Sequence, residues 1–161
     1  MAHVQAFLQR FLRAAHYATQ LEYKCLEALA RYVLELSLLD FAMLAHRPST
    51  VAAAALLLAR VLLAHVHRDD GGAMREHVVW THTLEHYAFH TARDLEPCAR
   101  KMHKTLLSAS GGKTTAIAQK YLNPRRGGVA ALAFMPALPE AAFERFASFR
   151  VPASYFSHVP L

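Results

Sequence analysis

Apolar positions recur with a helical period over most of the chain. Val4, Phe7, Leu8, Phe11 and Leu12 fall at the i, i+3, i+4, i+7, i+8 spacing of an amphipathic helix. The same period predicts a second helix from about Gln20 to Leu39, with Cys25, Leu29, Tyr32, Val33 and Leu36 on one stripe. Asp40 and the His46-Arg47-Pro48 stretch end it and form the connection. Ser49 suits the N-cap of a third helix, VAAAALLLARVLLAHV, which is apolar on almost every side. Such a helix has no face for water and belongs in the middle of a bundle. Its alanines, Ala52 to Ala55 and Ala59, allow close approach of neighbouring backbones, and Arg60 must reach outward or meet a carboxylate.

Further along, residues 67–77 (HRDDGGAMREH) read as a polar loop and Trp80–Phe89 as a short helix. Thr91 to about Ser108 predicts a longer helix, with Leu95, Cys98, Met102 and Leu106 inward and Arg93, Arg100, Lys101 and Lys104 outward. Ser110-Gly111-Gly112 breaks it, Thr114–Leu122 restarts a helix, and Asn123-Pro124 stops that one. Glu140–Phe149 predicts a last amphipathic piece with Phe143, Phe146 and Phe149 three residues apart, before a tail holding Pro152 and Pro160. Strand alternation is unconvincing throughout, so the expected fold is an all-α bundle with short links.

Composition agrees with one packed domain. The 161 residues are 54% hydrophobic and 19% charged, too apolar for a disordered regulator and ample for a core. The longest apolar run, Val51 to Val66, is interrupted by Arg60 and His65 and falls short of the roughly 20 residues a bilayer demands, so no membrane partner is expected. Two cysteines, Cys25 and Cys98, are too few for a disulfide scaffold or a four-thiolate zinc site and favour a reducing setting. Charge is unevenly spread: residues 91–126 carry eight basic side chains against Asp94 and Glu96, which accounts for the entire net +6. That surface suits an acidic protein, a phosphate or a nucleic acid.

The residues also fall in a familiar order. ALARYVLELSLLDFAMLAHRPSTVAAAALLLARVLL, residues 28–63, resembles the second cyclin box of A- and B-type mitotic cyclins. There a Tyr-Leu-x-Glu-Leu-x-Leu-x-Asp helix precedes a Pro-Ser start and an alanine-rich central helix. Trp80-Thr81 with Leu84-Glu85-His86-Tyr87 is similar to the family's W-(T/S)-x-x-L-x-x-Y segment. Ala116-Ile117 with Lys120-Tyr121 resembles the helix before its lysine-tyrosine signature, and FLQRFLRAA, residues 7–15, the helix that opens the box.

The resemblance covers roughly residues 4–124, leaving 125–161 as a C-terminal extension with one short helix and a tail. It implies a cyclin-like five-helix bundle around the alanine-rich helix, its core resting on Tyr32, Leu36, Ala52 to Ala55, Leu57, Trp80 and Tyr87. It implies a non-catalytic regulatory subunit, or a fragment of one, that binds a cyclin-dependent protein kinase in cell-cycle control, in nucleus and cytoplasm. In the family a first box carries the principal kinase-binding helices and a substrate-docking patch. Met1 lies only a few residues before the second box here, so that first box is expected to be missing and no kinase-contact residue is assigned.

Other chemistry is weaker. SGGKTT at 110–115 lacks the first glycine of a Walker A loop, since position 107 is Leu, and no strand precedes it. His82, His86 and His90 lie one turn apart, but no third ligand of fixed spacing accompanies any two of them. Cys25 and Cys98 sit on apolar stripes, as packing residues do. No catalytic, metal or cofactor residues are therefore assigned. Residues 1–21 hold two arginines and no acid, as a mitochondrial presequence does, but the opening helix of the box accounts for them better. The second functional reading is a basic nucleic-acid-binding helical module, of the kind found in cyclin-like transcription factors, that uses 91–126. Only Tyr121 interleaves with those charges, which disfavours it.

Overall fold

A computed structural model describes residues 2–15, 20–66, 74–110, 116–124, 128–131, 135–145 and 148–152. Six α-helices are formed among them: α1 (Ala2–Ala14), α2 (Gln20–Ser37), α3 (Pro48–Val66), α4 (His82–Ala88), α5 (Ala92–Ser110) and α6 (Ala116–Leu122). Short 3₁₀ turns occupy Phe41–Ala45, Val129–Ala131 and Glu140–Phe143. The fold is all-α.

Helix α3 is the axis. Every residue from Val51 to Ala64 is buried, and α1, α2, α4 and α5 all pack on it. Leu8, Phe11 and Leu12 of α1, Leu29, Val33 and Leu36 of α2, and Leu95, Cys98 and Met102 of α5 close around its sides. Ala52 to Ala55 have no exposed surface, so small side chains lie where the neighbours converge. By length and apolarity α3 would suffice to cross a membrane, despite the sequence-based expectation, but its burial in the bundle assigns it to the core.

Local chemistry fixes the helix ends. Pro48, not Ser49, starts α3; its ring presets φ and its missing N–H is one that a first turn cannot use. The Asp40 carboxylate accepts from the Ala42 N–H at 2.9 Å and opens the 41–45 turn. Thr81 caps α4 through the Leu84 N–H at 3.3 Å. Thr91 and Asp94 form a reciprocal box at the start of α5: the Thr91 N–H donates to Asp94 at 2.8 Å, and the Asp94 N–H to the Thr91 hydroxyl at 3.2 Å.

Three expectations are corrected. Residues 74–77, read as part of a loop, form strand β1 (Met74–Val78) together with Val78, and it pairs antiparallel with β2 (Ser148–Pro152), Met74 opposite Pro152 and Val78 opposite Ser148. In place of the helix expected over 140–149, Glu140–Phe143 form a single 3₁₀ turn and Ser148 and Phe149 belong to β2. Phe143 is buried as expected, whereas Phe146 lies outside the described residues. Arg60 is buried, and its guanidinium donates to the carbonyls of Val79 (2.7 Å) and Val78 (2.9 Å) at the end of β1, a backbone acceptor pair in place of an outward path.

Described residues beyond 124 join the same core. Val129, Met135, Leu138, Ala142 and Phe143 are all buried. The buried His103 ring on α5 meets the Met135 carbonyl at 2.6 Å through Nε2, and Arg100 pairs with Glu140 while lying 4.9 Å from the Phe143 ring centroid.

Candidate interaction surfaces

The lysine-tyrosine pair on α6 works as a clamp. Lys120 Nζ donates to both carboxylate oxygens of Glu35 on α2, at 2.9 and 2.8 Å, and the Tyr121 hydroxyl donates to the same carboxylate at 2.8 Å. The Tyr121 ring lies 5.2 Å from Tyr32, so a polar and an aromatic contact fasten α6 to α2. A groove of 510 Å³ runs beside this clamp, lined by Gln5, Glu35, Leu38, Leu39, Ile117 and Lys120.

The basic region is less free than its charge count indicates. Arg93 and Arg100 both pair with Glu96 at 2.8 Å, and Lys120 is held by Glu35. These bonds hold the Glu96 carboxyl below the usual range. Lys101 and Lys104 remain exposed on α5, while Lys113, Arg125 and Arg126 lie outside the described residues, as does most of the SGGKTT segment. A continuous basic face across 91–126 is therefore not formed by the described side chains, and the nucleic-acid reading gains nothing from the fold.

The histidine series is dispersed by the end of α4. His86 is exposed and meets Tyr87 edge-on at 5.5 Å, whereas His90 lies past the helix with its Nε2 3.1 Å from the Thr50 hydroxyl. Among the described residues no three His, Cys, Asp or Glu side chains gather as metal ligands. Burial pushes the Cys25 thiol up to about 11 and Cys98 to about 12, which suppresses the thiolate that a nucleophile needs.

Of the core expected from the sequence, Tyr32, Leu36, Ala52 to Ala55, Leu57 and Trp80 are buried. Trp80 also donates its indole N–H to the His90 carbonyl at 2.9 Å. Tyr87 is the exception, 43% exposed. It forms one wall of a 610 Å³ groove between α1 and α4, with Thr83 beside it and Ala6, Gln9, Arg10, Arg13 and Ala14 opposite. The Arg10 guanidinium lies 5.7 Å from the Tyr87 ring centroid. Sequence reasoning missed this groove by placing Tyr87 in the core; the signal available was the polar face of α1, where Arg10 and Arg13 stand three residues apart. Apolar side chains are exposed at the turn between α2 and α3 too, Phe41 by 87% and Leu44 by 79%.

Comparison with known proteins places this architecture. A family model described as the cyclin C-terminal domain matches residues 3–135. Cyclin-A1-1 of Arabidopsis thaliana is 37% identical over 117 residues, which are 73% of this chain and 23% of that protein. Cyclin-A1-4 of Oryza sativa subsp. japonica is 32% identical over 146 residues, 91% of this chain and 38% of the relative. Cyclin-A1-2 of Arabidopsis thaliana is 38% identical over 117 residues, 73% of this chain and 24% of the relative. The chain thus spans well under half the length of these relatives. An alanine-rich axis sheathed by its neighbours and a match over residues 3–135 lead to one conclusion: the chain belongs to the cyclin family, as a C-terminal cyclin box of the A type.

Proposed function

We propose that this chain is a non-catalytic regulatory module of cell-cycle control, the second box of a cyclin that binds a cyclin-dependent protein kinase in nucleus and cytoplasm. The observation that carries the reading is the family match over residues 3–135, on a bundle whose axis is sealed from solvent. A packed helical body changes shape little, so it can present a fixed surface. A fixed surface that binds only the competent arrangement of a kinase's mobile helix and activation loop shifts the kinase toward that arrangement. In this reading the second box buttresses a first box and offers its own exposed surface to other proteins; direct contact with the kinase by this segment alone is secondary.

Co-purification tests it. The chain, joined to the first box of an A-type relative, is co-expressed with a cyclin-dependent kinase, and recovery of the kinase and its phosphorylation of a substrate are measured. A recovered, active complex that weakens when the second box is destabilised supports the reading. Failure to recover kinase with any pairing of boxes contradicts it.

A further inference from the structure

The groove between α1 and α4 pairs a cationic wall with an aromatic one. On α1, Ala6, Arg10 and Arg13 follow one another along a single face, and the helix has no acidic residue. Among the described residues neither Arg10 nor Arg13 has an ion-pair partner, whereas Arg31, Arg93, Arg100 and Arg145 each pair with a glutamate. The acidic residue of α4, Glu85, is taken by Arg145 at 2.7 Å, and among the described residues no carboxylate lines the groove.

The opposite wall is exposed aromatic surface. Tyr87 lies 5.7 Å from the Arg10 guanidinium and meets His86 edge-on, and outside the groove Phe89, 81% exposed, lies 6.3 Å from the His86 ring. Phe89 has φ 56°, a left-handed conformation that a bulky residue adopts only at a cost. Exposed rings beside unpaired guanidinium groups are the side chains that dominate protein recognition sites. Ala6, Arg10, Arg13, Thr83 and Tyr87 are exposed, so the core does not depend on their burial.

The geometry points to a docking groove for an extended acidic segment of a partner protein, one in which carboxylate side chains alternate with apolar ones. Alternate residues of an extended chain point to opposite sides. Carboxylates on one side would meet Arg10 and Arg13, and apolar side chains on the other would lie on Tyr87. The α1 wall from Ala6 to Ala14 is about 12 Å long at 1.5 Å per residue, the reach of about four extended residues. Volume agrees: 610 Å³ falls within the roughly 300–1,000 Å³ of small binding clefts. This inference is independent of the kinase reading, because it concerns a surface of the second box alone.

Fluorescence anisotropy with the full chain tests it. The probe is a fluorescein-labelled peptide with a Glu-Leu-Glu-Leu-Glu core, compared with its glutamine counterpart, a phosphoserine counterpart and a single-stranded oligonucleotide. Saturable binding of the acidic peptide is expected, with dissociation constants raised about tenfold or more by Arg10→Glu/Arg13→Glu and by Tyr87→Ala. Lys101→Glu/Lys104→Glu on α5 should change it less than about twofold. Thermal unfolding of each variant guards against a folding defect, and Arg13→Gln, a neutral change on an exposed position, serves if the double reversal melts early. Equal binding of the glutamine peptide, equal loss in the α5 variant, preference for the phosphoserine peptide or the oligonucleotide, or no saturable binding would each overturn the proposal.

Discussion

At the scale of single residues, Phe89 shows how a local conformation and a surface are linked. Its amide donates to the Glu85 carbonyl at 3.0 Å and closes α4, which requires the left-handed backbone that glycine adopts freely. The side chain contributes little burial in return, being 81% exposed. Phe89→Gly should therefore stabilise the fold by roughly 0.5–1 kcal/mol, read as a rise of about 2 °C in melting temperature. A fall in melting temperature would mean that the ring makes a contact worth more than the backbone relief. The cysteines illustrate the opposite case, in which burial alone sets the chemistry. Cys25 and Cys98 face the core, and their raised thiol pKa values follow from desolvation.

At the scale of elements, helix ends set the acid response. The Thr91 N–H and hydroxyl hold the Asp94 carboxyl below its ordinary value of 3.8. A carboxyl depressed in the folded state stabilises at pH above its unfolded value, and that contribution is lost as pH falls through the folded value. Asp94→Asn should lower the melting temperature at neutral pH, and the gap to the unsubstituted chain should close as pH drops below 3.8. A gap that stays constant down to pH 2 would remove the charge from the account. Elements with strong local signals were legible in the sequence: α1, α2, α3 and α5 carry long, unambiguous apolar stripes, and α3's all-round apolarity foretold its burial. The strand pair was not. MREHV and SFRVP are five residues each and about 70 apart, so their register depends on a contact that no local pattern encodes. The phenylalanines at three-residue spacing after Glu140 misled in a different way. A spacing of three matches a 3₁₀ turn better than the 3.6-residue α period, and the turn ends at Phe143. The resemblance places Tyr87 in the core, and the seven residues of α4 are too few for periodicity to correct which face is buried.

For the whole molecule, the organising feature is a helix of small and branched apolar side chains enclosed by four others. Ala54 has no exposed surface, and its neighbours on α3 are equally buried. Ala54→Phe should overpack the centre and cost about 1–3 kcal/mol, a fall of roughly 3–10 °C in melting temperature. Unchanged unfolding would place that position at the surface. The basic residues belong to this scale too. Arg100 and Lys120 tie their helices to other elements through Glu140 and Glu35, so part of the positive charge visible in the sequence serves to hold the bundle together. What the sequence did not reveal was which cations remain for partners, because that depends on which glutamates the fold brings beside them. Native-state hydrogen exchange over residues 52–63 gives the most direct test of the sheathed axis. Those amides should exchange only when the whole chain unfolds, with an opening free energy equal to that of global denaturation. Exchange there as fast as in α4 or α6 would show that α3 is not enclosed, and would contradict the account from its centre outward.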